Sequence, residues 1–259
     1  MGFININNIK IQYKTIGSGD PMILLHGLSD SSNFWESLRT NFLRNFSTTA
    51  PDIRGYGGST KYVEINIELL TEDLNLLLKE LNVKKAHILG FSMGSLVAQN
   101  FCLKFPERVK SLIIGSGYCK CTEKLSDKFR DLERLDGGVG AFFDEMIKQV
   151  YTPGYLLKHP EFYKFKEQTV AMNTEEVLIQ SLRLCRNFNV ENRLSKIEVP
   201  TLILCGSDDC FVSLKNSQDL NHKISNSRIF KLFNTGHNIF LPGNMFKISF
   251  EIEKFIQGN

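Results

Sequence analysis

A glycine-flanked serine between an apolar run and a helical pattern constrains the fold of this chain more than any other feature. Ser92 lies in Gly90-Phe91-Ser92-Met93-Gly94, after the apolar run that begins at Ala86 and before a helical period that extends to Phe105. The two glycines permit a turn too tight for larger side chains, which exposes the Ser92 hydroxyl at the end of the strand. We predict a strand, a sharp turn and a helix over this segment.

Short apolar runs bounded by Gly, Pro or Asp recur along the chain and predict buried strands. They are Met22 to Leu25, Ala86 to Leu89, Leu112 to Ile114 and Thr201 to Cys205. Helical spacings of three and four lie between them, over Ile67 to Leu81 and Leu96 to Phe105. Alternating strands and helices indicate a parallel sheet covered on both faces, with a ligand site at the carboxyl ends of its strands.

The first segment of the chain has a different pattern. Phe3 to Tyr13 alternates isoleucine with polar residues around Asn7-Asn8, which is typical of a hairpin with one buried face. We predict that this hairpin forms an antiparallel edge of the sheet.

A long segment in the second half of the chain also lacks the alternation. Residues 118–198 contain no strand-like run and are rich in Phe, Tyr, Leu and charge, with breaks at Gly137-Gly138 and Pro153-Gly154. We predict that this segment is a helical cap insertion. Residues 1–117 and 199–259 then form one α/β core.

Charge and composition exclude several classes of partner. The net charge of +3 comes from basic residues scattered among acidic ones, so neither nucleic acid nor an anionic membrane is indicated. There is no secretory signal pattern, and no apolar run approaches the roughly 18 residues of a membrane span. We expect a soluble cytoplasmic protein with a small-molecule partner, and the sequence leaves its oligomeric state open. Its six cysteines are expected to be free thiols, because the chain lacks the small size of a disulfide framework and Cys119-x-Cys121 is too tight for a zinc knuckle.

Ser92 has the setting of a nucleophile. A serine hydroxyl is weakly nucleophilic at neutral pH, so acyl transfer needs a histidine to accept its proton and a carboxylate to orient that histidine. Ser95 and Ser116 lie nearby without paired glycines, and we interpret both as core or loop hydroxyls.

His237 is the predicted base. It follows the predicted strand Ser227 to Phe233 through Asn234-Thr235-Gly236, on a loop expected to face the nucleophile. The other histidines lie inside a strand, in the cap, on a polar helical stretch and in the loop after the first parallel strand; they are His87, His159, His222 and His26.

The predicted acid follows the strand Thr201 to Cys205. Gly206-Ser207-Asp208-Asp209-Cys210 offers two carboxylates that lie between the serine and the histidine in chain order. We favour Asp209, because Asp208 is better placed to bond turn amides as in an Asx turn.

Two backbone amides are predicted to stabilise an oxyanion. One belongs to Met93, directly after the nucleophile. The other belongs to Leu28, on the loop after the strand that ends at Leu25. His26 is then expected to brace this loop rather than to act as the base.

These residues together resemble the α/β-hydrolase superfamily, in particular its small bacterial esterase and enol-lactonase-like branch. The resemblance covers nearly the whole chain and extends to further motifs, namely Asp52-Ile53-Arg54-Gly55-Tyr56-Gly57-Gly58-Ser59, Phe105-Pro106-Glu107-Arg108-Val109 and Val199-Pro200-Thr201-Leu202. It implies an α/β-hydrolase fold with a mostly parallel eight-stranded sheet flanked by helices, a helical cap, and no cofactor or metal. It also supports Asp209, because the acid of the family falls three residues after the glycine matched by Gly206.

Residues that differ from those of other branches of the superfamily narrow the set of branches that the chain resembles. Serine at position 92 argues against haloalkane dehalogenases and epoxide hydrolases, which resemble this fold but use aspartate there. Phe91, and the absence of an Arg-Trp pair before His237, argue against the carbon–carbon bond hydrolases. An acidic enol-lactone would need a cationic partner, for which the cap offers arginines that are otherwise surface residues: Arg130, Arg134, Arg183 and Arg186.

The substrate pocket is expected between Ser92 and the cap. Several aromatic and methionine residues of the cap either line it or form the cap's own core: Phe142, Phe143, Met146, Tyr151, Phe162 and Met172. Phe34 and Trp35 likewise either lie near the pocket or simply pack against other residues. We predict cleavage of an ester or lactone with an uncharged acyl group. The rivals are a ligand-binding receptor-like protein with little turnover and an acyltransferase or perhydrolase with the same triad.

Overall fold

A single sheet of eight strands forms the centre of the computed structural model, which describes all 259 residues. The strands are β1 (Gly2–Ile6), β2 (Ile9–Ile16), β3 (Asp20–Leu25), β4 (Phe46–Pro51), β5 (Ala86–Phe91), β6 (Val109–Gly115), β7 (Thr201–Gly206) and β8 (Ser227–Leu232). Their spatial order is β1-β2-β4-β3-β5-β6-β7-β8. The β1–β2 and β2–β4 pairs are antiparallel and all others are parallel, so the predicted parallel sheet with a hairpin at one edge is confirmed.

Ten α-helices accompany the sheet. They are α1 (Glu36–Arg39), α2 (Ile67–Glu80), α3 (Met93–Lys104), α4 (Glu123–Glu133), α5 (Gly138–Val150), α6 (Pro153–Lys158), α7 (Lys166–Met172), α8 (Glu175–Asn187), α9 (Leu214–Lys223) and α10 (Met245–Gln257). The start of α2 is set by Asn66, whose side chain accepts a hydrogen bond from the Leu69 N–H at 2.8 Å. None of these helices has the length and apolar character needed to cross a membrane.

Two hydrophobic clusters cover the two faces of the sheet. Ile114 belongs to the larger cluster with Leu77 and Phe101, whereas its neighbour Ile113 belongs to the smaller one with Trp35. Successive side chains of a strand point to opposite faces, so a strand with both faces covered must be apolar throughout. This burial explains why the central strands are recognisable as short apolar runs.

β4 and the short helical turns around α1 were not predicted from the apolar runs of the sequence. β4 contains the polar segment Ser47-Thr48-Thr49, yet Thr48 and Thr49 are buried because β4 lies between β2 and β3. The Thr48 hydroxyl accepts a hydrogen bond from the buried Arg39 at 3.2 Å and donates one to the Ile16 carbonyl at 3.1 Å. Two β-branched threonines in succession were the available signal for this strand.

The segment between β6 and β7 contains α4 to α8 and no strand of the sheet. The breaks predicted at Gly137-Gly138 and Pro153-Gly154 fall between α4 and α5 and at the first turn of α6. The segment is bonded to the core, since the Asn173 side chain donates to the Ser29 carbonyl at 3.1 Å. We keep residues 118–198 as the proposed limits of the cap, and call this segment the proposed cap.

Candidate active site

Ser92 lies in a strained turn between β5 and α3. Its φ of 49° and ψ of −118° belong to a region that residues other than glycine rarely adopt. A Cβ atom at Gly90 would overlap the carbonyl oxygen of Gly94, and one at Gly94 would overlap the carbonyl oxygen of Leu25. Both glycines are therefore required by the close approach of neighbouring backbone.

The structure brings the three predicted side chains into one line of contacts. His237 Nε2 lies 2.9 Å from Ser92 Oγ, and His237 Nδ1 lies 2.8 Å from Asp209 Oδ2. His237 and Asp209 are buried, whereas Ser92 keeps part of its surface accessible. With the proton on Nδ1, His237 donates to the carboxylate and Nε2 is free to accept the serine proton.

Asp209 also performs the role that we predicted for Asp208. Its Oδ1 accepts hydrogen bonds from the Phe211 N–H at 2.9 Å and the Val212 N–H at 2.8 Å, as in an Asx turn. Asp208 is exposed, and its carboxylate accepts only from the Ser207 hydroxyl. Our reason for preferring Asp209 was therefore wrong, although Asp209 is the residue that meets His237. One carboxylate both closes the turn and reaches the imidazole, because its two oxygens point to different partners.

Neighbouring residues hold the His237 ring and backbone. The ring lies between Phe91 and Phe211, with centroid distances of 5.4 Å and 5.2 Å. The Ser116 hydroxyl donates to the His237 carbonyl at 2.7 Å. Sequence reasoning treated Ser116 only as a core or loop hydroxyl and did not identify Phe211, since both reach His237 from distant parts of the chain.

The remaining histidines lie apart from this line of contacts. His26 accepts a hydrogen bond from the Ile53 N–H at 3.0 Å and contacts the Gly27 carbonyl at 2.8 Å, so it braces the loop after β3 as predicted. His87 contacts Ser111 inside the sheet, and His159 contacts the exposed Glu161. His222 lies on α9, near its C-terminus.

The two amides predicted for the oxyanion lie on the segments that flank Ser92. Met93 is the first residue of α3, and the opening N–H groups of a helix have no intrahelical acceptor. The Leu28 N–H, in the loop after β3, makes no hydrogen bond within the protein. Both donors are therefore unoccupied and available to an incoming oxygen.

A cavity of about 400 Å³ is lined by residues of the proposed cap and of the core. Phe91 and Asn238, the chain neighbours of Ser92 and His237, line it together with Leu28. Five of the six cap residues considered above line it: Phe143, Met146, Tyr151, Phe162 and Met172. Phe142 does not, because adjacent helical residues point about 100° apart, and it is buried in the large core cluster. Phe34 also lines the cavity, whereas Trp35 is fully buried.

The charges around the cavity differ from those that an acidic substrate would need. None of Arg130, Arg134, Arg183 and Arg186 lines it, and the last two pair with Glu133 instead. Asp30 is the acidic residue that lines it. Burial raises the pKa of Asp30 to about 7; the hydrogen bond from Ser31 opposes the shift, and the charge of Asp52 adds to it.

The six cysteines are free thiols, as predicted. Four are buried, Cys121 is half-buried and Cys210 is exposed next to Asp209. Burial raises the pKa of Cys102 and Cys185 to about 12, so these thiols stay protonated at neutral pH.

The sheet, the turn at Ser92 and the serine–histidine–aspartate contacts define a hydrolase of the α/β type. A family model described as the alpha/beta hydrolase fold matches residues 20–244, and the chain belongs to this family. Within it, the chain falls in the small bacterial esterase-like branch.

Individual relatives are distant but cover most of the chain. The chain is 24% identical to 3-oxoadipate enol-lactonase 2 of Acinetobacter baylyi over 229 residues, which are 87% of this chain and 86% of that protein. It is 26% identical over 242 residues to the pimeloyl-acyl-carrier-protein methyl ester esterase of Wigglesworthia glossinidia brevipalpis, covering 89% and 88% of the two chains. The crystal structure of the enol-lactonase from Burkholderia xenovorans LB400 superposes with a TM-score of 0.89 at 18% identity, covering 99% of this chain and 100% of that chain.

Proposed function

We propose that this protein is a serine hydrolase that cleaves a carboxylic ester or lactone through an acyl-enzyme. The observation that carries the proposal is the continuous line of contacts from Ser92 Oγ to His237 Nε2 at 2.9 Å and from His237 Nδ1 to Asp209 at 2.8 Å. This geometry gives the serine a proton acceptor at hydrogen-bond distance and gives that acceptor a fixed orientation.

In the first half of the reaction, Ser92 Oγ attacks the carbonyl carbon and its proton passes to His237 Nε2. Asp209 stabilises the imidazolium that results and keeps its own charge. The carbonyl oxygen becomes an oxyanion that accepts hydrogen bonds from the Leu28 and Met93 amides. His237 then donates its proton to the departing alkoxide, which leaves an acyl group on Ser92.

In the second half, water replaces the alcohol. His237 accepts a proton from the water as the water oxygen attacks the acyl carbon, and the same two amides stabilise the second oxyanion. The proton returns to Ser92 Oγ as the acid departs. Phe91 and Phe211 restrict the imidazole to a narrow range of orientations, so the ring is aligned for both halves.

The cavity beneath the proposed cap supports an acyl or alcohol group of small to medium size that carries no carboxylate. Its volume of about 400 Å³ lies at the lower end of the range for small-molecule sites. The wall is mostly aromatic and aliphatic, and no arginine, lysine or histidine lines it. A substrate that placed a carboxylate in this cavity, as an acidic enol-lactone would, finds no cationic partner there.

Two rivals keep the same fold. A receptor-like protein would retain the cavity with little turnover, and an acyltransferase or perhydrolase would deliver the acyl group to an alcohol or to peroxide. Hydrolysis and acyl transfer would use the same catalytic side chains, so the products distinguish them, and measurable turnover distinguishes both from a receptor.

The test compares the wild-type protein with Ser92→Ala on short p-nitrophenyl esters and with a fluorophosphonate probe. We expect turnover and covalent labelling of the wild type, and a loss of both by several powers of ten in the variant. Ser126→Ala on α4, whose hydroxyl has no hydrogen bond, is the matched control and should behave as wild type. Esterase activity that survives in pure Ser92→Ala protein would refute the proposal.

A further inference from the structure

One carboxyl group in the wall of the substrate cavity has no counter-ion. Asp30 is half-buried, lines the cavity and accepts a single hydrogen bond, from the Ser31 N–H at 2.9 Å. It forms no ion pair, and no lysine, arginine or histidine lines the same cavity. A carboxylate in such a site gains from any cation that enters, because nothing in the protein already neutralises it.

The other walls of the cavity also suit a cation. Tyr151 and Phe162 lie with their ring centroids 4.7 Å apart, and both line the cavity with Phe34 and Phe143. The faces of aromatic rings carry partial negative charge and attract ammonium groups. The Tyr151 hydroxyl is held in place by the Asn238 side chain at 2.9 Å.

We propose that Asp30 determines specificity by favouring substrates with a positive charge on the part that fills the cavity and by disfavouring a carboxylate there. The inference rests on the proposed function, since it concerns the substrate of the same site. Asp30 takes no part in the bond-making steps and acts on binding and orientation. Its effect should therefore appear as a preference between substrates rather than as a loss of turnover.

The preference should depend on pH, because the pKa of Asp30 is about 7 through its burial. The other ionisable group that lines the cavity is Tyr151, directly after α5. Burial holds the pKa of Tyr151 above its usual value, so it stays neutral at these pH values. Behind the loop, the charge of Asp52 favours the protonated form of Asp30. The attraction is present above about pH 7, where Asp30 is ionised, and is lost as the pH falls below it.

The experiment uses two esters of the same shape and different charge. One is the p-nitrophenyl ester of γ-trimethylammonio-butyrate, and the other is its neutral isostere with a tert-butyl group in place of the trimethylammonium. The charge of the first does not change with pH, and any effect of pH on the chemical steps that the two esters share cancels in the ratio of their kcat/KM values. We expect the ratio to favour the cation by about tenfold at pH 8 and to fall toward one at pH 6.

Asp30→Asn should abolish the preference at high pH and its pH dependence, so that the ratio of the two kcat/KM values stays near one at both pH values. Asp136→Asn, which removes an exposed carboxylate of the proposed cap outside the cavity, should leave both unchanged. A ratio that is independent of pH in the wild type overturns the inference, whether or not Asp30→Asn folds. If Ser92→Ala still cleaves the neutral ester, the proposed function fails; if only the charge preference is missing, the role of Asp30 fails alone.

Discussion

The residues around Ser92 and the walls of the cavity beside it are organised in opposite ways. Asp209 and His237 are buried, and both oxygens of the Asp209 carboxylate are bonded, to two backbone amides and to the imidazole. On the side of the proposed cap, most of the aromatic and methionine side chains that line the cavity are half-buried, and Asp30 is left unpaired. We infer that the core determines the reaction and that the proposed cap, with the loop that carries Asp30, determines the substrate.

Hydrogen bonds from Asn238, the residue after His237, connect the residues around Ser92 to the wall of the cavity. The Asn238 N–H donates to the Val150 carbonyl at the end of α5 at 2.9 Å, and its side chain donates to Tyr151. Movement of α5 would therefore act on the loop that carries the histidine. Hydrogen-bonded side chains such as Asp209 and His237 resist such movement. Cavity side chains that pack without hydrogen bonds can rearrange around different ligands.

The largest effect should come from Asp209→Asn, which tests the core side of the comparison. The amide cannot stabilise the imidazolium and favours the wrong tautomer of His237, so kcat should fall by about ten-thousand-fold. Asp208→Asn is the matched control, because the exposed Asp208 has no contact with His237, and its kcat should stay within about threefold of wild type. Equal losses in the two variants would contradict the assignment of Asp209.

An intermediate effect is expected from Gly90→Ala, measured as the free energy of unfolding in urea. The added Cβ would overlap the Gly94 carbonyl, and since both belong to regular elements neither can move freely. We expect a loss of about 2 to 4 kcal/mol. Gly154→Ala at the first turn of α6 is the control: nothing lies within 4 Å of the added atom, so stability should stay the same or rise slightly.

The smallest effect should come from the proposed cap, through Phe162→Ala. Loss of this ring widens the cavity, so kcat/KM should change by about threefold to tenfold and the preferred acyl chain should lengthen, with little change for an acetyl ester. Tyr163→Ala, the exposed neighbour that does not line the cavity, should leave the chain-length profile of p-nitrophenyl esters unaltered. A loss in Phe162→Ala that is uniform across all chain lengths would place this ring in the reaction rather than in substrate choice.

The sequence by itself determined the central strands and the order of the site residues. Apolar runs such as Leu112 to Ile114 are local patterns, and they survive in the structure because both faces of each strand are covered. The turn at Ser92 is local in part: Gly90 is required by the nearby Gly94 carbonyl, whereas Gly94 is required by the Leu25 carbonyl at the end of β3. His237 was predictable because it lies on the short loop after the last strand, β8.

Only the tertiary structure decided which side chains share the cavity and what each carboxylate bonds. β4 contains a polar segment and is buried in the fold, Phe142 and Phe143 are adjacent in sequence but lie in the core and in the cavity wall, and the turn role assigned to Asp208 belongs to Asp209. The role of Asp30 was not predicted from the sequence. Its lack of a positively charged partner depends on which side chains from distant segments line the cavity. Such properties arise from packing between remote parts of the chain, which local pattern does not encode.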